Sequence, residues 1–221
     1  MRNCRTLLIC NHSDPAGRYA YNQQPQIGLW NLACLAQALT PIISTEDAEA
    51  ALQSYRSTYA ERYTALMGQK LGLTHASKDD ASLVNTLLDM MHTSHADYTN
   101  LFRSLSHFKS APGEKNAALR DQFIDRTAFD TWSASYRDRL QREQGSDAER
   151  KTRMNKVNPK YILRNHLAQT AINKAEQGRD FSEVDRLLRL LQHPFNEQPE
   201  MEDYAATPPE WARHITVNCS S

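Results

Sequence analysis

From residue 25 to residue 194 the apolar side chains recur three and four positions apart, in successive runs broken by Pro, Gly or short polar stretches. That spacing lines one face of an α-helix; a half-buried strand would instead alternate every second residue. A chain patterned in this way folds by packing helix on helix. Pro25 stands where a helix starts, and Ile27, Trp30, Asn31, Cys34, Leu35, Ala38 and Leu39 follow before Pro41 ends it. Cys34 falls on the apolar side of that helix, so its thiol is expected in the core. Ser44 and Asp47 form a capping box, after which Leu52, Tyr55, Tyr59, Tyr63, Leu66 and Met67 make one stripe of a long helix ending near Gly68 and Gly72. The three tyrosines read as a packing seam with hydroxyls at its rim.

Further along, Leu83, Val84, Leu87, Leu88 and Met91 predict a helix over 79–92, and Leu101, Phe102 and Leu105 one over 96–108. Phe129, Trp132, Tyr136 and Leu140 predict another over 123–144, interrupted by Gly145-Ser146-Asp147. A helix with Pro159 in its first position is expected after Asn158, running through Tyr161, Leu167 and Ala171 to Gly178. Ser182 and Asp185 open the last one, which reaches Pro194 through Leu187, Leu188 and Leu191. Beyond it Pro199, Pro208 and Pro209 among polar residues predict extended coil lying over the body. No strand or internal repeat is visible, and the fold class is mostly α.

A chain of 221 residues can bury one core or two small ones. Lys+Arg and Asp+Glu number 26 each, so no whole-chain field favours nucleic acid or an anionic membrane. The apolar run Leu7-Leu8-Ile9-Cys10 is far too short for a signal-peptide core or a membrane span. Four scattered cysteines with no Cys-x-x-Cys pair suit a reducing compartment, with the cytoplasm as the default.

Several clusters invite chemistry. His12, Ser13 and Asp14 have the right types for a nucleophile and base, but adjacent loop residues rarely converge, and Ser-Asp before Pro15 reads as a turn. Arg18 could meet a phosphate or a buried carboxylate, and a structural ion pair is the preferred reading. His92 and His95, with His75 and His107 nearby, lack the further ligands of a zinc site and read as solvated. The cluster Arg137, Arg139, Arg142, Arg150, Lys151, Arg153 and Lys156 is interleaved with Glu143, Asp147 and Glu149 and has no aromatic platform, so it reads as a charged solvent face. No glycine-rich phosphate loop and no Asp-Phe-Gly word is present, so neither catalytic, cofactor-binding nor metal-ligating residues can be assigned.

The densest stretch is Cys10-Asn11-His12-Ser13-Asp14, then Gly17-Arg18-Tyr19-Ala20-Tyr21, Gln24-Pro25 and Gly28-Leu29-Trp30-Asn31-Leu32. With Asn158-Pro159-Lys160-Tyr161-Ile162-Leu163-Arg164-Asn165, Pro208-Pro209-Glu210-Trp211 and the closing Cys219-Ser220-Ser221, it resembles the selenoprotein O (SelO) family of kinase-like protein adenylyltransferases. These words keep the family's order and span about the second half of a family member. The resemblance implies the helical lobe of a protein-kinase-like fold over residues 10–195, with a loop at 10–24 that follows the metal motif. Residues 1–9 are unmatched, and 196–221 form an extended tail.

The resemblance also implies AMP transfer from ATP to Ser, Thr or Tyr of protein substrates in the intact family, with magnesium. The family's nucleotide loop, lysines, catalytic Asp and metal ligands precede the first word, so this chain is expected to be inactive alone and to pair with a separately encoded N-terminal half. In the family the terminal cysteine is tied to redox control, implying a reversible Cys10–Cys219 bridge. Closing that loop of roughly 210 residues would contribute about 5 kcal/mol in the chain-entropy account. The competing reading is a non-enzymatic helical interaction module; a nucleic-acid binder resting on the basic cluster is disfavoured by the charge balance.

Overall fold

The structure, a computed structural model, describes Asp14 and residues 16–215, apart from the side chains of Arg213 and His214. Cys4, Cys10, His12, Ser13 and Cys219 lie outside the described residues. The chain divides into two compact units, the described parts of which are Asp14 with residues 16–66, and residues 67–215. Every regular element among the described residues is helical, and none of these helices is long and apolar enough to cross a membrane.

In the first unit a short 3-10 turn, Tyr21–Gln23, leads into α1, Gln24–Leu39, with Pro25 in its opening turn. α2, Thr45–Lys70, begins here and ends in the second unit. Its start is fixed as the capping pattern predicts: the Asp47 amide donates to the Ser44 hydroxyl (3.1 Å). α1 and α2 meet at Gly28, where a Cβ would come within 2.8 Å of the Tyr55 hydroxyl. That hydroxyl donates to the Pro25 carbonyl (3.1 Å). Two sequence expectations fail in this unit. α1 buries none of its residues and the Cys34 thiol is exposed, because periodicity specifies which face is apolar but not what covers it. The tyrosines of α2 stack on one another at centroid distances of 6.2 and 6.0 Å, and Tyr59 and Tyr63 stay open to solvent.

The second unit is built on the pairing of α3, Asp80–Thr93, with α6, Arg126–Leu140. α4, Tyr98–Leu105, and the single turn α5, Ala117–Arg120, close over them. Leu83, Val84, Leu87 and Met91 of α3, Leu101, Phe102 and Leu105 of α4, and Phe129, Trp132, Tyr136 and Leu140 of α6 form one buried core, as their spacing predicts. Its spine is aromatic: Phe123–Phe129, Phe129–Trp132, Trp132–Tyr136 and Phe108–Tyr136 lie 5.2, 6.1, 4.9 and 4.9 Å apart. The two polar tips in this spine are satisfied, Trp132 Nε1 by the Leu83 carbonyl (3.0 Å) and the Tyr136 hydroxyl by the Leu71 carbonyl (2.6 Å). Asp97 and Asp125 cap α4 and α6 by accepting from the Asn100 and Ala128 amides.

The polar end of this unit departs from the sequence reading. α7, Asp147–Asn155, occupies a stretch read as a charged face; it has a full Ser146/Glu149 capping box but only Ala148 and Met154 as apolar residues, so periodicity is silent there. Pro159 does not start a helix. The Lys160 and Tyr161 amides both donate to the Pro194 carbonyl (2.8 and 3.2 Å), which holds the chain straight until α8, Asn165–Gly178. α8 packs on α9, Ser182–Gln192. Residues beyond Pro194 are not extended coil either: they form 3-10 turns at Pro199–Ala205 and Glu210–His214. Proline lacks the amide needed for a longer helix but is well placed in the first turn of a short one.

Candidate functional site

In the loop before α1, the buried Asp14 carboxylate accepts the Arg18 and Tyr19 amides (3.0 and 2.7 Å). Gly17 between them takes φ 68°, a left-handed conformation that suits glycine. Asp14 is therefore the knot of a turn, in keeping with the turn reading and leaving little of its carboxylate for proton transfer. The Arg18 guanidinium lies over Trp30 at 4.1 Å and Tyr19 at 5.7 Å, and among the described residues these aromatic faces, not a carboxylate, are its neighbours.

The Asn158–Arg164 word is a scaffold. Asn158 is fully buried; its Nδ2 donates to the Lys70 carbonyl (2.8 Å) and its Oδ1 accepts from Lys70 Nζ (3.1 Å). Arg103, also buried, donates Nη1 to the carbonyls of Asn155 and Asn158 and Nη2 to the Phe195 carbonyl and Glu197. Lys160 reaches Glu197 (2.6 Å) and Glu202, and the Tyr161 hydroxyl donates to the Gln198 carbonyl (3.0 Å). Hydrogen bonds from Lys160 and Arg103 hold the Glu197 carboxyl at about 2. Arg164 forks onto Asp97 and reaches Asn100. One word of sequence thus straps the segment after Pro194 to the helical body.

Two of the seven cations read as a solvent-facing basic cluster, Arg139 and Arg150, are buried. Arg139 is buried with Asp80 (2.6 Å) and Glu143 (2.7 Å) and also donates to the His75 carbonyl. Burial pushes the Glu143 carboxyl up, but the Thr74 hydroxyl and amide and the Arg139 guanidinium outweigh it and hold it at about 2. Arg150 is buried against Asp147 (2.6 Å) and the Phe108 carbonyl. Arg137 donates to the Glu114 carbonyl (2.8 Å) and lies over Phe108. For Arg103, near Phe102 and Leu105, a charged side chain amid apolar neighbours was an available signal; Arg150, between Glu149 and Lys151, offered none. The histidines do not converge: among the described residues no group of three or more His, Cys, Asp or Glu could hold a metal ion.

Compared with known proteins, residues 2–192 match the model of the family described as protein adenylyltransferase SelO. The chain belongs to the SelO family. Its SelO relatives include proteins named protein nucleotidyltransferase YdiU. The one from Myxococcus xanthus (strain DK1622) is 53% identical over 214 residues, covering 97% of this chain and 44% of that protein. The one from Thioalkalivibrio sulfidiphilus (strain HL-EbGR7) is 53% identical over 220 residues, with 97% and 44% covered. The one from Cupriavidus metallidurans (strain ATCC 43123 / DSM 2839 / NBRC 102507 / CH34) is 48% identical over 227 residues, with 96% and 42% covered. The chain spans less than half the length of these SelO relatives. Within it, the loop word knots itself through Asp14 and the Asn158–Arg164 word ties down the strap.

Proposed function

We propose that this chain is the C-terminal portion of a SelO-type protein adenylyltransferase with a kinase-like fold, contributing its helical lobe over residues 10–195 and a tail over 196–221. The observation that carries the reading is the match over residues 2–192 combined with coverage of only 42–44% of the nucleotidyltransferase relatives. In the complete enzyme a protein hydroxyl oxygen would bond to the α-phosphorus of ATP as the bond to the β-phosphate bridge breaks, releasing pyrophosphate. ATP and magnesium would sit on the portion that the longer relatives possess in addition. The chain alone would be inactive, its partners would be protein substrates and a separately encoded N-terminal half, and its place would be the cytoplasm. Cys10 and Cys219 would form its redox bridge. A second reading, a helical interaction module, is favoured by the contiguous core that residues between Met67 and Met154 form within the unit of residues 67–215.

The test joins the additional portion of the Myxococcus relative to this chain and compares the fusion with the 221-residue chain, using α-labelled ATP, magnesium and a mixed protein acceptor. Label transferred by the fusion and not by the chain supports the proposal. Label transferred by the chain alone overturns it, and a folded fusion that transfers none favours the interaction module.

A further inference from the structure

Between α8 and the two 3-10 turns of the strap run two adjoining clefts of about 610 and 630 Å³ that share Thr170 as a wall. The α8 positions along them, from Leu167 to Gly178, cover about 16 Å, the length of roughly five extended residues. The half-exposed Trp211 ring stands in one cleft, and Leu167, Met201 and Tyr204 line the other. The charge is one-sided. The clefts' cations, Lys174 and Arg186, both engage the buried Glu183 (2.8 and 3.2 Å), whose second oxygen accepts from the Tyr204 hydroxyl. Asp180 accepts the Ser182 amide (2.9 Å) and lies in the field of the same two cations, so Glu200 and Asp203 remain as the groove's uncompensated carboxylates, with no hydrogen-bond or ion-pair partner among the described residues.

We infer that this groove docks an extended segment of a partner protein bearing arginine or lysine beside an apolar residue. The cation would be held by Glu200 and Asp203 and the apolar side chain by Trp211 or by Leu167 and Met201. An exposed aromatic anchor in a groove of net negative charge is a surface that discriminates peptides by electrostatic complementarity. The inference goes beyond the enzymatic reading, since the docking needs neither ATP nor the rest of a longer relative. If that reading holds, the groove selects protein substrates with a basic stretch away from the modified hydroxyl.

The test is anisotropy of a fluorescein-labelled heptapeptide with two arginines and two leucines, titrated with the 221-residue chain at low and at 0.5 M salt. Its counterpart has glutamates for the arginines. The arginine peptide should bind saturably, weaken in salt, and lose roughly five- to tenfold in affinity with Glu200→Gln/Asp203→Asn. Asp89→Asn, which removes one exposed carboxylate on α3, should leave it unchanged. Trp211→Ala, checked by its melting curve, should also weaken binding. Absence of saturable binding, equal binding of the glutamate peptide, or unaltered affinity in the folded double variant each overturns the inference. No ATP is present, so the outcome is independent of the transfer assay.

Discussion

Replacing Arg139 by methionine tests whether the second unit is held by a fully partnered internal cation. Arg139, Asp80 and Glu143 have side chains only 7, 5 and 5% exposed. Removing the guanidinium roughly keeps the volume but deprives two carboxylates of their shared cation in a site that water barely reaches. Breaking a buried pair in this way costs about 3–5 kcal/mol, whereas replacing all its members by apolar residues is often near neutral. A domain of this size shifts by about 2–4 °C per kcal/mol, so the midpoint should fall by about 6–20 °C. Thermal unfolding followed by tryptophan fluorescence reads the shift and urea denaturation the free energy, since Trp132 lies in the same core.

The loss should be smaller in acid. The folded Glu143 carboxyl titrates at about 2 instead of its ordinary 4.5, so its contribution is present above pH 4.5 and fades as pH falls toward 2. Wild type should lose stability through that window, while Glu143→Gln should lose less. The triple replacement Asp80→Leu/Arg139→Met/Glu143→Leu should recover most of what Arg139→Met forfeits. A cost below about 1 kcal/mol for Arg139→Met at pH 7 would refute the reasoning, because it would mean that both carboxylates find water on their own.

Tyr136→Phe should cost about 1–2 kcal/mol by leaving the Leu71 carbonyl bare, read as a lower urea midpoint with an unchanged slope. Gly72→Ala should destabilise by about 1–3 kcal/mol in a thermal melt, since Gly72 sits at φ +76° and a Cβ would come within 2.5 Å of Arg150 Cγ. Glu197→Gln should speed amide exchange across residues 195–205 at pH 7 while α6 stays protected, because Arg103 and Lys160 both clasp that carboxylate. Cys219→Ser should abolish a mobility shift on non-reducing gels and raise the titratable thiol content of oxidised protein; identical behaviour of the two proteins rules out the Cys10–Cys219 bridge.

The helices with a clear apolar stripe were legible from sequence to within a residue or a few. Leu83 through Met91 and Phe129 through Leu140 became the facing sides of α3 and α6, because period and burial coincide there. α7 was hidden because its order comes from a capping box and from Arg150 reaching inward, neither of which produces a hydrophobic period. Pro159 misled for a physical reason: the local preference for a helical start lost to a distant acceptor, the Pro194 carbonyl, which captures the next two amides. Cys34 and the α2 tyrosines show the converse limit, since an apolar face predicts a partner without guaranteeing one inside the same unit. At the loop the turn-forming role of Asp14 was readable, but the stacking of Arg18 on Trp30, twelve residues away, was not.

Arg103 has a practical consequence for anyone cutting or grafting this protein. Its donors end on residues 155, 158, 195 and 197, so a stop codon placed before Phe195 would strip a sunken guanidinium of two acceptors at once. Such a shortened product should misfold or be degraded rather than persist as a trimmed helical body. Chimaeras should therefore keep Arg103, the Asn158–Arg164 word and the closing strap from a single parent.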